Sequence, residues 1–205
     1  MSAPRHALLV LAAGASRRLG ESKQLLRIDG ESLVRRSARL GLATRPAQAL
    51  LVLGAASEAV SAEVADLPVT KVHCRGWEAG LGASLATGLQ ALDDGIDGAL
   101  VLLCDQPGLE AAHLQALLAA WHANPTGAAA SAYAGVLGVP ALLPRAWFAE
   151  LATGHDDRGA RDLLRQRAAQ VAAVPAPGLA ADLDTPAQRE DWAARSSLGP
   201  KGSGE

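Results

Sequence analysis

Short apolar runs recur along the chain, and turn-forming residues close them. Ala7 to Ala13, Ala49 to Gly54 and Ala99 to Cys104 are nearly unbroken stretches of Leu, Val and Ala. Runs of that length, bounded by turn signals, suit strands buried on both faces. They predict strands over His6–Leu11, Ala49–Gly54 and Ala99–Cys104, with shorter ones at Val69–His73 and Val171–Val174 and a weak one at Ala128–Tyr133. Between them the apolar spacing turns helical. Leu33, Val34, Ala38 and Leu42 share a face of a helix over Leu33–Ala43, with Ser32 at the capping position. Ser57 similarly opens a helix through Ala65. Leu114, Leu117, Leu118 and Trp121 line one side of a helix over Leu109–Asn124. Shorter helices are expected from Trp147 to Leu151 and from Pro186 to Ala194. Asp29-Gly30 is a tight turn, and Gly135–Pro140 reads as a loop. Strands alternating with helices predict an α/β domain with a doubly wound, mostly parallel sheet. A single domain over residues 1–194 is expected, followed by a tail over 195–205 with the composition of disorder.

Composition narrows the function. A net charge of −2 supplies no general attraction to nucleic acid, and 3% aromatic residues leave little to stack on bases. Two cysteines, Cys74 and Cys104, are too few for a disulfide framework or a zinc site. No apolar stretch reaches the ~20 residues of a membrane span, and the N-terminus has no secretory cleavage pattern. A cytoplasmic protein with neither nucleic-acid nor membrane partners is expected.

The chemistry concentrates where the first apolar run ends. Gly14, Ser16 and Gly20 follow it, interleaved with Arg17, Arg18 and Lys23. Glycines let backbone N–H groups approach an anion, and the cations add charge for a polyphosphate. Neither common nucleotide loop fits. A Walker A loop has Lys-Ser/Thr directly after its second glycine, whereas Lys23 comes three residues after Gly20. The dinucleotide pattern G-x-G-x-x-G is likewise missing from Gly14-Ala-Ser-Arg-Arg-Leu-Gly.

Two further stretches carry polar groups at strand ends. Trp77-Glu-Ala-Gly80-Leu-Gly82-Ala-Ser84 is a glycine-rich loop entering a helix that runs to Leu92. Ser84 there suits either a helix cap or a ligand hydrogen bond, because a helix N-terminus favours acceptors. Asp105 ends the most apolar run and precedes Gln106-Pro107. A carboxylate beyond a central parallel strand is costly unless paired or metal-bound, and Mg2+ takes one or two carboxylates with substrate phosphates. Otherwise Asp105 simply begins the turn. Near the end, Asp182 and Asp184 flank Leu183, so an extended backbone points both to one face, where a cation would relieve their repulsion. Arg35, Arg36 and Arg39 are expected on a solvated helix face, as are His113 and His122. Arg158 and Arg161 suit helix-start ion pairs, an acidic acceptor or a subunit neighbour.

Leu11, Ala12, Gly14, Ser16, Arg18, Gly20 and Lys23 fill the pattern L-A-x-G-x-S-x-R-x-G-x-x-K, which resembles the signature of MobA-like nucleotidyltransferases. The Leu-Ala-Ala-Gly tetrapeptide, Lys-Gln-Leu-Leu and the Trp77–Leu89 stretch resemble the molybdenum cofactor cytidylyltransferase branch. Asp157-Arg158-Gly159-Ala160-Arg161 resembles a G-D-x-G-A-R element of the family, with Asp156 replacing its first glycine. The resemblance implies a Rossmann-like nucleotidyltransferase fold and transfer of CMP from CTP to a phosphorylated acceptor, molybdopterin-type cofactor, with release of pyrophosphate. Arg18, Lys23 and Asp105 would be catalytic. Leu11 to Arg17 (Leu11, Ala12, Ala13, Gly14, Ala15, Ser16, Arg17), Gly20, Gly80, Gly82 and Ser84 would bind the nucleotide. Gly138 and Pro140, on a strand pair rather than a loop, would face the acceptor. Mg2+ would sit on Asp105 and one of Asp182 and Asp184, and a molybdoenzyme could receive the product. An acceptor of another kind, such as a sugar phosphate, and a non-catalytic nucleotide-binding accessory protein for a molybdoenzyme are the alternatives.

Overall fold

The computed structural model describes residues 3–15, 22–153 and 159–180. Strand β1 (His6–Ala12) is buried along its whole length. Leu8, Val10 and Ala12 point into one apolar layer, and Leu9, Leu11 and Ala13 into the other. That period of two puts one apolar run in contact with both layers, so no polar position alternates with it.

A ribbon of β2 (Arg27–Ile28) and β3 (Glu31–Ser32) follows. Its turn residues Asp29 and Gly30 both have positive φ, 51° and 81°, as the tight turn read from the sequence requires. Next come α1 (Leu33–Leu42), β4 (Gln48–Leu53), α2 (Ser57–Glu63), β5 (Thr70–His73) and α3 (Leu81–Gln90). Then follow β6 (Gly98–Leu103), α4 (Ala111–Ala123), β7 (Ala128–Tyr133), β8 (Val136–Pro144), α5 (Phe148–Leu151), α6 (Arg161–Gln166) and β9 (Val171–Pro175). Apolar side chains of α1 and α4 join the layer of Leu8 and Val10. Those of α3, α5 and α6 join the layer of Leu9 and Leu11.

Seven strands form the main sheet in the order β5-β4-β1-β6-β8-β7-β9. The pairs β1–β4, β1–β6, β4–β5 and β7–β9 are parallel, whereas β8 runs antiparallel to β6 and β7. The expected α/β domain is therefore present, with a mixed, mostly parallel sheet. The parallel half aligns the carboxyl ends of β5, β4, β1 and β6 on one edge, where ligands bind in sheets of this kind.

Several local expectations need correction. Gly135–Pro140, read as a loop, lies largely within β8. Its strand character comes from pairing with β6 and β7, which tertiary contacts supply. Ser32 precedes α1 but its hydroxyl does not cap it, and that oxygen is buried without a partner. Ser57 is the first residue of α2 and not its cap, a position Ala56 holds. His113 is half-buried rather than on a solvated face, its Nε2 lying 2.7 Å from Ser131 Oγ. The helix expected at 186–194 and the tail at 195–205 lie outside the described residues. No helix among the described residues is long and apolar enough to cross a membrane.

Candidate active site

At the carboxyl edge, β1 and β6 end side by side. Lys23 reaches back from a short 3-10 turn, Lys23–Leu25, to the end of β6. Its Nζ lies 2.6 Å from Asp105 Oδ2, and both side chains are mostly shielded, at 22% and 14% exposure. The other carboxylate oxygen, Oδ1, is buried and has no hydrogen-bond partner. A buried anion with one oxygen unmatched is costly, and a bound cation would satisfy it. The donor chemistry of Asp105 therefore fits a hard divalent ion. Among the described residues, no group of three or more His, Cys, Asp or Glu side chains is placed to hold one, so further ligands must come from substrate, from water or from residues outside that set.

Gln24 fixes the loop after β1. Its side chain is buried, donates to Gly14 O at 2.8 Å and to Ala12 O at 3.3 Å, and accepts from Ser22 Oγ at 2.6 Å. A second tie comes from the end of β4, where the Ala55 N–H donates to Ala13 O at 3.1 Å. Gly54 permits that approach. A Cβ there would lie 2.4 Å from Ala13 O and 2.8 Å from Trp77 Cγ. The glycine thus lets the indole of Trp77 rest against the strand end.

These parts enclose a cavity of about 340 Å³. One wall is Lys23, Leu103, Cys104 and Asp105; the floor is Leu11, Ala13, Gly14, Ala15 and Gln24. The opposite wall is Trp77, Glu78, Gly80, Leu81 and Ser84. Gly80 precedes α3 with φ 105°, a conformation that favours glycine. Cys104 is wholly buried, and that burial, with the Asp105 charge beside it, pushes its thiol pKa well above the ordinary value. It is a neutral lining group and no nucleophile.

The structure gathers Leu11, Ala13, Gly14, Ala15, Lys23, Gly80, Ser84 and Asp105 around one space. Ala12 contributes its carbonyl to Gln24, and Gly82 is buried within α3. Ser84 lines the cavity and is the fourth residue of α3, so it is not the cap of that helix, a position Gly80 holds. Gly138 and Pro140 are buried in β8 and do not line this cavity. A Cβ on Gly138 would lie 2.7 Å from the Tyr133 hydroxyl. Ser16, Arg17, Arg18, Gly20, Asp182 and Asp184 lie outside the described residues, as do Asp156, Asp157 and Arg158. The arginines of α1 have structural partners: Arg35 with Asp66, Arg39 with Glu31, and Arg36 with the Leu109 carbonyl. Gln24 and Trp77 fell within motifs read from the sequence but were given no role in the site, and Gly54 and Glu78 were given none either. For Gln24 the available signal was a polar residue between Lys23 and an apolar pair, and for Trp77 an aromatic residue beside a glycine-rich loop in an aromatic-poor chain.

A family model for the MobA-like NTP transferase domain matches residues 8–171, a span that runs from β1 into β9. The chain belongs to this family. It is 33% identical to the purine catabolism protein PucB of Bacillus subtilis, over 86% of this chain and 90% of that protein. It is 34% identical to the nicotine blue oxidoreductase of Paenarthrobacter nicotinovorans, over 78% of this chain and 81% of that protein. Among solved structures, Rv0371c of Mycobacterium tuberculosis H37Rv superposes with a TM-score of 0.81 at 29% identity, covering 93% of this chain and 98% of the other. The same mycobacterial protein has also been crystallised in complex with manganese. The relatives that this chain resembles carry differing names, so the acceptor has to be argued from the site itself.

Proposed function

We propose that this protein transfers a nucleotidyl group from a nucleoside triphosphate to a phosphorylated acceptor, releasing pyrophosphate. The observation that carries the reading is the shielded Lys23–Asp105 pair, whose Asp105 Oδ1 is buried and unpartnered beside the end of β1. A terminal phosphate oxygen of the acceptor attacks the α-phosphorus. A new P–O bond forms, the bond to the β-phosphate breaks, and the electron pair leaves with pyrophosphate. The attacking oxygen is already anionic, so no covalent enzyme intermediate is required and the protein's work is positioning and charge neutralisation.

Lys23 places a cation at the wall where phosphates would lie and holds Asp105 in place. Gln24 orients the Ala12–Gly14 backbone, and the N–H groups of Ala13 to Ser16 cradle the phosphates. Arg17, Arg18 and Gly20 complete that loop in the proposal, with Arg18 stabilising the leaving group. Asp105 would hold Mg2+ together with Asp182 or Asp184. The metal, when bound, supplies positive charge to the reacting phosphates. The manganese complex of the mycobacterial relative is consistent with a divalent-ion site in this fold. Gly80 and Ser84 meet the base and ribose, with Gly82 behind them in α3, while Gly138 and Pro140 would act on the acceptor side, outside this cavity.

The finer assignment takes CTP as donor and molybdopterin-type cofactor as acceptor, with the product passed to a molybdoenzyme. It rests on the Leu11–Gly14 tetrapeptide and the Trp77–Leu89 stretch. A sugar phosphate or another phosphorylated metabolite fits the same chemistry. Pyrophosphate release, measured with Mg2+, each common NTP and a panel of phosphorylated acceptors, separates these readings. Lys23→Ala and Asp105→Ala should each lower turnover by at least ~10²-fold, the size expected for one electrostatic contact to a transition state. Near-normal turnover in either folded variant would remove that residue from the mechanism.

A further inference from the structure

The two walls of the cavity differ in chemistry, and the difference bears on which nucleobase enters. Lys23 and Asp105 stand beyond β6, where a triphosphate finds positive charge and a metal-fitting carboxylate. Across the end of β1 stand Trp77, Glu78, Gly80, Leu81 and Ser84. That wall combines an indole packed over Gly54 with an aliphatic side chain, and it offers little positive charge. It suits a flat, uncharged ring. Glu78 is the exception there. Its carboxylate is exposed, and it makes no hydrogen bond or ion pair with the other described residues.

An ionised carboxylate only accepts hydrogen bonds. Facing a substrate that already carries several negative charges, it adds repulsion unless the substrate presents a donor. Cytosine and adenine each present an exocyclic amine at the Watson–Crick edge, and guanine presents an N–H with an amine beside it. Uracil presents a single N–H flanked by two carbonyls, so a carboxylate that accepts from it is held against two repelling oxygens.

We propose that Glu78 is a specificity-determining residue that admits amine-bearing nucleobases and rejects uracil. The inference rests on the nucleotide-site reading above and deepens it. CTP and UTP have the same size and differ at this edge, so they isolate the effect. A site built to pair a polar edge discriminates strongly against an analogue that leaves its group unpaired.

The test is equilibrium binding of CTP and UTP to the full-length protein with Mg2+, by calorimetry, in wild type, Glu78→Gln and Glu78→Asp. Mg2+–pyrophosphate, which has no base, probes the phosphate end of the wild-type protein. Wild type should bind CTP at least 10-fold more tightly than UTP. Glu78→Gln should bring the ratio to within about threefold, because an amide can turn either its oxygen or its NH2 to the base. Glu78→Asp, which keeps the carboxylate, should retain part of the preference. An unchanged CTP:UTP ratio in Glu78→Gln, or no wild-type preference, would overturn the assignment while leaving the nucleotide site standing. Failure of pyrophosphate and of every NTP to bind would overturn the site reading, and this inference with it.

Discussion

Breaking the Lys23–Asp105 pair should destabilise the metal-free protein by an amount that a surface ion pair would not. The two side chains are 22% and 14% exposed, and the contact is 2.6 Å. Charge centres roughly 4 Å apart attract by about 4 kcal/mol at an effective dielectric near 20. Partial desolvation of both groups cancels around half of that, leaving a coupling of about 2 kcal/mol. Lys23→Met should cost about 2–3 kcal/mol, because it leaves a shielded carboxylate with neither oxygen matched by a cation. Asp105→Asn should cost about 1–2 kcal/mol, since the amide still accepts a hydrogen bond but carries no charge. The double variant should be less destabilised than the sum of the two singles. Lys23 has other interactions that the single substitution also removes. A double-mutant cycle cancels those and isolates the pair. The assay is urea unfolding at pH 7.5 in a chelator and moderate salt, for all four proteins. A coupling below ~0.5 kcal/mol, the range of exposed ion pairs, would refute the claim that this pair is a shielded electrostatic unit.

The same pair predicts that Lys23→Met binds Mn2+ more tightly than wild type, because a competing cation has gone, even as turnover falls; weaker binding, read by electron paramagnetic resonance, would count against Asp105 as a ligand. Gly54→Ala should weaken NTP binding as well as stability, since its Cβ would fall 2.4 Å from Ala13 O, a backbone atom, and displace Trp77; unchanged calorimetric affinity would show that this wall does not meet the nucleotide. Gly98→Ala would place a Cβ 2.5 Å from Trp121 Cζ2 and 2.8 Å from Leu142 Cδ2 in the core. It should cost about 2–3 kcal/mol by overpacking, with Trp121→Phe relieving part of it in a double variant. His6 is buried against Thr44, and burial, with a lesser push from His122, lowers its pKa to about 4. The unfolded chain, with an ordinary histidine pKa near ~6.5, then binds more protons between those values. Stability from this residue is full above pH ~6.5 and falls by up to about 3 kcal/mol as the pH drops toward 4. The difference between the pH–stability curves of wild type and His6→Gln measures it, and parallel curves would refute it.

What the sequence alone determined follows from local physics. Six-residue apolar runs without alternation at Ala49–Gly54 and Ala99–Cys104 demanded burial on both faces, so they announced central strands wherever the rest of the chain went. Asp29-Gly30 announced its turn because positive φ selects such residues. Asp105 was legible because a carboxylate after an apolar strand has a cost that something must offset. Tertiary structure decided what no local window contains. Val136–Pro144 carries glycine and proline and no alternation, and it is a strand because β6 and β7 offer backbone groups that must be paired. Gln24 became an anchor only when β1 brought the Ala12 and Gly14 carbonyls within its reach. Lys23 met Asp105 across 82 residues of sequence separation because β1 and β6 are hydrogen-bonded neighbours. Trp77 entered the site because Gly54, at the end of a different strand, has no side chain to hold it off, and Glu78 follows it in the chain. Residues chosen by their own backbone or burial needs can be read from the chain; residues chosen by what lies opposite them in space cannot.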